Sequence, residues 1–168
     1  MATELTKKDI ELLKQELEHR QTVLRPQLIE AVKEARGFGD LSENFEYKAA
    51  KREKNRNDSR CRYLENLIKT ARIIPDRPAP EGVVSLYDKV TLYVEEDDDT
   101  VTFQIVTTVR QDALHGLISK ESPVGKAVLG RKVGEKVTIQ VNDSYSYDAV
   151  IRSVEPGEDT GEAPLRAF

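Results

Sequence analysis

The chain has 168 residues, 38% of them hydrophobic and 33% charged, which suits one ordinary domain or two small ones with modest cores. It has no run of 18 apolar residues, and its first residues lack the basic-then-apolar pattern of a signal peptide. We therefore expect a cytoplasmic protein with no membrane partner. A single cysteine, Cys61, excludes an intrachain disulfide and is expected to be a packed thiol, and two histidines add no zinc-binding cluster.

The net charge of −4 is unevenly distributed along the chain. Residues 1–75 carry 16 basic and 13 acidic side chains, or +3, whereas residues 76–168 carry 10 and 17, or −7. Because salt screens electrostatic attraction over about 10 Å, a phosphate-rich partner responds to local charge rather than to the total. The asymmetry indicates two parts, of which only the first suits contact with nucleic acid.

Residues 1–75 are predicted to form an antiparallel α-helical coiled-coil hairpin. Thr6 and Asp9 have the spacing of a capping box, and Pro26 should bend the first helix before it ends at Gly37. Apolar residues recur in the first helix at spacings of three, four and seven, at Ile10, Leu13, Leu17, Leu24, Leu28, Ala31 and Ala35. A second helix is predicted to begin after Ser42, with the repeat Ala50, Lys54, Asn57, Cys61, Leu64, Ile68 and Ala71.

Antiparallel pairing about a turn at residues 40 and 41 would place Leu13 near Ile68, towards the base, and Leu24 near Asn57, towards the tip. Each arm of about 32 residues, at about 1.5 Å per residue, would be nearly 50 Å long. A rod of two helices is too thin to enclose a pocket. The hairpin is therefore predicted to act as a probe.

The rest of the chain is predicted to be a small β domain with one short helix, which makes the fold class α+β. Three prolines in "IPDRPAPEG" indicate a stiff linker over residues 76–82. The domain spans residues 83–155, with a strand from Val84 to Val94, a hairpin turn at "EEDDD", and later strands at "EKVTIQV" and "YSYDAVIRSV". Ser122 is the predicted cap of a helix in "SPVGKAVLG". Residues 156–168 are expected to form a flexible tail.

Two acids stand at the bend of the hairpin, in the segment "GDLSENFEY". If the second helix starts near Ser42, the carboxylates of Asp40 and Glu43 would converge on one side of the bend. Paired carboxylates with open coordination sites hold Mg²⁺ for phosphoryl chemistry. The alternative is that Asp40 is a turn residue and Glu43 a favourable charge at a helix amino terminus. Residue chemistry leaves both interpretations open.

The second helix carries a run of basic residues behind the tip. The series Lys48, Arg52, Arg56 and Arg60 has a spacing of four and is predicted to face largely away from the seam. Clustered basic side chains leading from an acidic tip would suit a phosphate backbone. The alternative is a solvated helix face with no binding role.

Four segments together resemble one known family: "LRP" at 24–26, "AR" at 35–36, "GDLSENFEYKAAK" at 39–51 and "ISKESPVGKAVLGRKVGEKV" at 118–137. They are similar to the bacterial Gre transcript-cleavage factors of the GreA type, in the same order along the chain. The resemblance implies an amino-terminal coiled coil and a carboxy-terminal domain similar to the FKBP-type β fold.

The resemblance also implies a function and a set of site residues. Such factors bind bacterial RNA polymerase, thread the coiled coil through its secondary channel, and stimulate the polymerase's own cleavage of a backtracked RNA 3′ end. Asp40 and Glu43 match the catalytic tip acids, which help to hold a Mg²⁺ ion of the polymerase active centre. The factor would be a monomer, no enzyme alone, and would bind no cofactor by itself.

Further residues match the family less specifically. The candidates for positioning the tip are Ser42, Asn44 and Tyr47, and those for contact with extruded RNA are Lys48, Arg52, Arg56 and Arg60. Ser122 and Pro123 match a loop expected to contact the polymerase. Phe45 departs from the small residue common at this place, and with Phe38 it makes the tip more apolar.

Three other functions remain open at this stage. The first is a Gre-like regulator that occupies the polymerase channel and inhibits transcription, for which Phe45 leaves room. The second is an FKBP-type prolyl isomerase, although the chain beyond residue 82 has no tryptophan and only Phe103 and Phe168 among phenylalanines. The third is a plain coiled-coil adaptor, in which the tip sequence would be unimportant.

Overall fold

The computed structural model describes residues 2–39, 43–75 and 80–167. The chain divides into two compact units, a helical one that ends at Ile73 and a β unit that begins at Ile74. This division confirms the α+β class. No helix within the described ranges combines the length and the apolar character needed to cross a membrane.

The helical unit is a hairpin of two arms joined at its base by a pair of short parallel strands. Thr6 and Asp9 form the predicted capping box, in which each backbone N–H donates to the other residue's side chain, at 3.0 and 3.1 Å. The elements are β1 (Glu4–Leu5), α1 (Lys7–His19), a π-helical turn (Arg20–Leu24), α2 (Arg25–Arg36), α3 (Phe45–Thr70) and β2 (Arg72–Ile73).

The irregularity that Pro26 was predicted to cause is the π-helical turn just before it. Proline has no N–H to donate and its ring crowds the preceding turn, so it is best tolerated in the first turn of an α-helix, which is where it lies in α2. The backbone N–H of Arg25 donates to the carbonyl of Arg20, five residues back. The Thr22 hydroxyl, within the π-helical turn, donates to the carbonyl of Glu18 at 2.7 Å.

A polar layer, formed by Glu16, Arg20, Asn57 and Arg60, links the two arms within the seam. The carboxylate of Glu16 accepts from Arg20 Nε at 2.9 Å and from Arg60 Nε at 2.7 Å. Arg20 in turn donates to the side-chain oxygen of Asn57 at 2.9 Å, and Asn57 Nδ2 donates to the Arg20 carbonyl at 3.3 Å. The pairing runs antiparallel, as predicted. The register differs from the prediction, which placed Asn57 near Leu24. Asn57 instead bonds Arg20, one turn earlier in the first arm, which contains the π-helical turn.

Apolar side chains fill the seam on the base side of the polar layer. Leu13 and Leu64 are almost completely buried, and Cys61 is 7% exposed, which confirms the packed thiol. Burial raises the pKa of the Cys61 thiol, so it stays protonated and unreactive at neutral pH.

The described part of the β unit is a five-stranded sheet with one short α-helix and two 3₁₀ turns, Thr108–Arg110 and Ala113–His115. Its strands are β3 (Lys89–Val94), β4 (Asp99–Val106), β5 (Leu117–Ser119), β6 (Lys136–Gln140) and β7 (Ser146–Glu155), with α4 (Pro123–Val128) between β5 and β6. The order is β5-β4-β3-β7-β6, and all neighbours are antiparallel except β4 and β5. The inward side chains of β3, β4, β6 and β7 form one apolar core with Val84 and Val128.

Two features of this sheet differ from the prediction. The first strand was predicted from Val84 but begins at Lys89, because Tyr87 has a left-handed backbone with φ of 70° that interrupts extended structure. β5 was not predicted at all. It is three residues long and pairs in parallel, which leaves too little alternation to recognise in a sequence.

The described part of the carboxy-terminal tail, residues 156–167, contacts the β unit, and its predicted flexibility stays a prediction. The guanidinium of Arg110 is completely buried and donates to both carboxylate oxygens of Asp159, at 2.9 and 2.8 Å. The backbone N–H of Arg166 donates to the Val109 carbonyl at 2.6 Å. A buried arginine needs a compensating charge, and only tertiary structure shows that Asp159 supplies it.

We expect Arg110→Ala to destabilise the β unit by about 3–5 kcal/mol, because it leaves the Asp159 carboxylate without its partner. Hydrogen exchange at strand amides of β3 and β7 in the full chain measures this loss. The matched control is Arg131→Ala, since the pair of Arg131 with Glu135 is exposed and 3.9 Å apart, and should change stability by less than about 1 kcal/mol. Equal effects of the two substitutions would contradict a stabilising role for the tail.

Candidate functional site

The tip of the helical hairpin begins where α2 ends. Gly37 follows the helix as its C-cap, and Gly39 has a φ of 128°, a conformation that side-chain-bearing residues rarely adopt. Asp40 and Ser42, two of the predicted tip residues, lie outside the described residues. The second arm resumes at Glu43, which lies in a turn and is exposed.

Asn44 caps α3 and joins the two arms at the tip. The helix begins at Phe45, not directly after Ser42 as predicted, because the Asn44 side-chain oxygen accepts from the backbone N–H of Tyr47 at 3.0 Å. The same side chain donates through Nδ2 to the carbonyl of Ala35 at 2.6 Å. One amide group thus satisfies an orphan donor of α3 and adds a second bond to the Ala35 carbonyl, which also accepts from the Phe38 N–H at 3.2 Å.

Glu43 is the tip acid whose surroundings the structure describes. Its carboxylate makes no hydrogen bond or ion pair with another described residue, and it precedes the capped helix by two positions. Carboxylate oxygens of this kind are the ligands that hard cations such as Mg²⁺ prefer, so Glu43 fits one position in such a coordination shell. The role of the pair Asp40 and Glu43 stays a prediction.

Tyr47 lies one turn into α3, between cations from both arms. The Arg36 guanidinium lies 5.6 Å from the centre of the ring, and the Lys51 ammonium 5.9 Å. A hydrogen bond from Arg36, together with the charge of Lys51, holds the pKa of the Tyr47 hydroxyl below its ordinary value. Arg36 was not predicted as a tip residue, although it belongs to the "AR" segment at 35–36.

The basic series along α3 is divided by the structure into exposed and buried members. Lys48, Arg52 and Arg56 are exposed, as predicted. The prediction that Arg60 faces away from the seam is wrong: it is 3% exposed and bonds Glu16 in the polar layer. The reason is that the spacing of four drifts around a helix of 3.6 residues per turn, so after three steps the series reaches the seam.

In the β unit, Ser122 and Pro123 start α4 beside a groove of about 360 Å³. The Ser122 hydroxyl donates to the Ser119 carbonyl at 2.7 Å and accepts from the Gly125 N–H at 3.1 Å, which confirms the predicted cap. Pro123 is exposed. The groove is lined by Gln111, Ala113, Leu117, Ile118, Ser119, Ser122 and Arg166, so the tail contributes one side chain beside the predicted docking loop.

Fold and site define a two-unit protein in which a helical hairpin presents an acidic, capped tip and a separate β unit follows. Comparison with known proteins agrees over nearly the whole chain. Residues 3–73 match the family model "Transcription elongation factor, N-terminal", and residues 79–156 match "Transcription elongation factor, GreA/GreB, C-term". The chain belongs to the GreA/GreB family of transcription elongation factors.

Curated relatives agree with this assignment. The transcription elongation factor GreA of Geobacillus kaustophilus is 46% identical over 136 residues, which is 81% of this chain and 86% of the relative. The GreA of Mesoplasma florum is 42% identical over 145 residues, 86% of this chain and 93% of the relative. Among solved structures, GreA factor homolog 1 of Thermus thermophilus is 25% identical, with 93% of this chain and 100% of that one covered and a TM-score of 0.43.

We expect Asn44→Ala to weaken the tip by about 1–2 kcal/mol, because it removes the helix cap and the bond to Ala35 together. Amide hydrogen exchange at Tyr47 and Lys48 measures the local loss. Asn55→Ala on the exposed face of α3 is the matched control, since it deletes the same amide group away from the tip. Unchanged exchange at Tyr47 in Asn44→Ala would contradict the capping role.

Arg60→Ala is expected to destabilise the hairpin by about 3 kcal/mol, whereas Arg52→Ala on the exposed face should have little effect on stability. Burial by itself would raise the pKa of Glu16, but the hydrogen bonds and charges of Arg60 and Arg20 outweigh it and hold that pKa below 4.5. The ion pairs therefore stabilise the fold above pH 4.5, and their contribution is lost as the pH falls through the lowered pKa.

Thermal unfolding of the wild type, Arg60→Ala and Arg52→Ala between pH 7 and pH 3 tests this expectation. The difference between the wild type and Arg60→Ala should shrink as the pH falls below 4.5. A difference that stays constant over this range would mean that Arg60 stabilises the hairpin by packing alone.

Proposed function

We propose that this protein binds bacterial RNA polymerase, inserts its helical hairpin into the secondary channel, and stimulates the polymerase's own cleavage of backtracked RNA. It acts as an accessory factor and is no enzyme on its own. The observation that carries the proposal is Glu43, an exposed carboxylate without a described partner at the capped tip of a two-helix rod. Membership in a family of transcription elongation factors supports RNA polymerase as the partner.

The tip residues have separate parts in this proposal. Asp40 and Glu43 would hold a Mg²⁺ ion in the polymerase active centre, where a divalent cation activates water and neutralises charge on the phosphate that is cleaved. The chain alone needs no bound cofactor. Asn44 fixes the backbone beside Glu43 through its two hydrogen bonds, and Tyr47 is held by Arg36. Ser42 stays a proposed positioning residue from the family motif.

The exposed face of α3 would guide the extruded RNA. Lys48, Arg52 and Arg56 are exposed along it, with a separation of about one helical turn between neighbours. Positive charges in such a row attract a phosphate backbone, and the attraction should weaken as the salt concentration rises. Arg60 has no place in this path because the polar layer buries it.

The β unit would dock on the polymerase through the loop that contains Ser122 and Pro123. Ser122 already uses its hydroxyl for two hydrogen bonds within the loop, so it shapes the surface, while the exposed ring of Pro123 is available for contact. We also propose that this unit is similar to the FKBP-type fold but serves docking, not prolyl isomerisation. The composition beyond residue 82 supports this distinction, because it offers no tryptophan and only Phe103 and Phe168 among phenylalanines for an aromatic-lined pocket.

The tip acids provide the direct test of this function. On a stalled, backtracked complex with Mg²⁺, we expect Asp40→Asn and Glu43→Gln each to lower the stimulated cleavage rate at least about 10-fold, with polymerase binding preserved. Each change keeps the side-chain shape and removes a ligand charge. The matched control is Glu46→Gln, which removes an exposed acid in the first turn of α3 and should leave cleavage intact.

A wild-type protein that leaves the RNA 3′ end uncut, at the rate of polymerase alone, would refute the proposal. A second measurement distinguishes a cleavage factor from an inhibitor of transcription. It is the rate of nucleotide addition on complexes that have not backtracked. A cleavage factor should leave this rate nearly unchanged, whereas a protein that only blocks the channel should lower it. A plain adaptor predicts that all three substitutions behave like the wild type.

A further inference from the structure

Two phenylalanine rings are exposed at the tip although the seam of the hairpin offers apolar cover. Phe38 is 70% exposed and Phe45 is 81% exposed. Phe38 follows the end of α2 and Phe45 is the first residue of α3, so the rings stand on either side of the tip segment. Burial of a phenyl ring is favourable by about 1.5–3 kcal/mol, so a partner that covers an exposed ring gains this free energy.

Cations lie beside Phe45 and beside Tyr47, the next aromatic residue of α3. The ammonium of Lys48 lies 5.9 Å from the centre of the Phe45 ring, one helical turn away on the same face. Arg36 and Lys51 approach the neighbouring ring of Tyr47 at 5.6 and 5.9 Å. Aromatic rings next to positive charges are the two features that proteins combine to bind single-stranded nucleic acid, with bases stacked on the rings and phosphates near the cations.

The cations beside the rings favour a nucleotide over an apolar protein pocket as the partner that covers Phe45. If Phe45 entered an apolar pocket of a protein partner, the Lys48 ammonium beside it would lose its hydration without an opposite charge, at a cost of several kcal/mol. A nucleotide meets both needs, because its base covers the ring and its phosphate neutralises the ammonium. The same argument applies to Tyr47 with Arg36 and Lys51.

The position of Phe45 relates the ring to the acid at the tip. Phe45 follows Glu43 by two residues, and the Asn44 cap between them fixes the direction in which α3 starts. We propose that Phe45, with Lys48 as its cationic neighbour, binds a nucleobase of single-stranded RNA by stacking. This base would lie next to the phosphate that is cleaved, for which Glu43 is the proposed Mg²⁺ ligand. This inference rests on the proposed function and adds a base-binding subsite to the tip. Phe38 provides a second ring on the other arm.

A comparison of intact and abasic RNA tests the stacking. In backtracked complexes with subsaturating factor, Phe45→Ala should lower the cleavage rate about 10-fold on intact RNA, because stacking on an aromatic side chain contributes ~1–3 kcal/mol per base. Phe45→Trp should keep the rate, and Phe45→Leu should lose most of it. When the extruded nucleotides are abasic, the wild type should fall to the level of Phe45→Ala, and Phe45→Ala should not fall further.

Two results would overturn the inference. One is equal cleavage by the wild type and Phe45→Ala on intact RNA. The other is the same loss on intact and abasic RNA, which would show that Phe45 contacts the polymerase or shapes the tip instead of a base. Since Phe45 is 81% exposed, its replacement should leave folding unchanged, and thermal unfolding of each variant verifies this.

A second measurement does not depend on cleavage. In complexes with the Glu43→Gln variant, a fluorescent 2-aminopurine base at the extruded RNA 3′ end should be quenched by stacking, and the double variant Phe45→Ala, Glu43→Gln should restore the emission. Quenching without any wild-type cleavage would support the base site while refuting the proposed function. Cleavage with no Phe45-dependent quenching would refute the base site and leave the proposed function intact.

Discussion

The function of the hairpin depends on the register between its two arms, and the polar layer fixes that register. A two-helix rod has no interior beyond its seam, and the apolar contacts of a seam tolerate a slip of one turn more readily than polar contacts do. A slip would separate the buried Arg60 guanidinium from Glu16, at a cost of several kcal/mol, whereas Glu16 would keep its bond to Arg20 of its own arm. Because the register is set there, the loop between α2 and α3 begins and ends at defined residues.

The described part of the tip combines a hydrogen-bonded helix cap with exposed side chains. Asn44 uses its amide to bond both arms, and Tyr47 is held between cations from both arms. In contrast, Glu43 and the rings of Phe38 and Phe45 are exposed to solvent. In the proposed function, the bonded groups would position the exposed ones for contact with a substrate.

The β unit illustrates a different constraint, the burial of a charge. Arg110 is completely buried, Asp159 of the tail supplies the opposite charge, and the Ala163 carbonyl accepts a further bond from Arg110. Burial by itself would raise the pKa of Asp159, but the hydrogen bonds and charge of Arg110 outweigh it and keep the pKa low. The tail lies beyond the last residue of the matched family model, residue 156, and still contributes Arg166 to the groove beside Ser122.

The sequence by itself determined the features that depend on local periodicity and on short-range bonding. These include both helical arms, the capping box of Thr6, the cap at Ser122 and most of the strands, because each is specified by residues within a few positions of one another. The acidic tip could also be recognised from the sequence, because it is a short, distinctive motif.

Tertiary structure alone decided which polar residues are buried and paired within the fold and which are exposed. Arg52 and Arg60 are equivalent in the sequence pattern, yet one is exposed and the other is buried against Glu16. Arg110 and Asp159 are 49 residues apart, and no local signal pairs them. The physical reason is the same in both cases: the energy of a charge depends on its burial and on a partner distant in the chain, and only folding brings the two together.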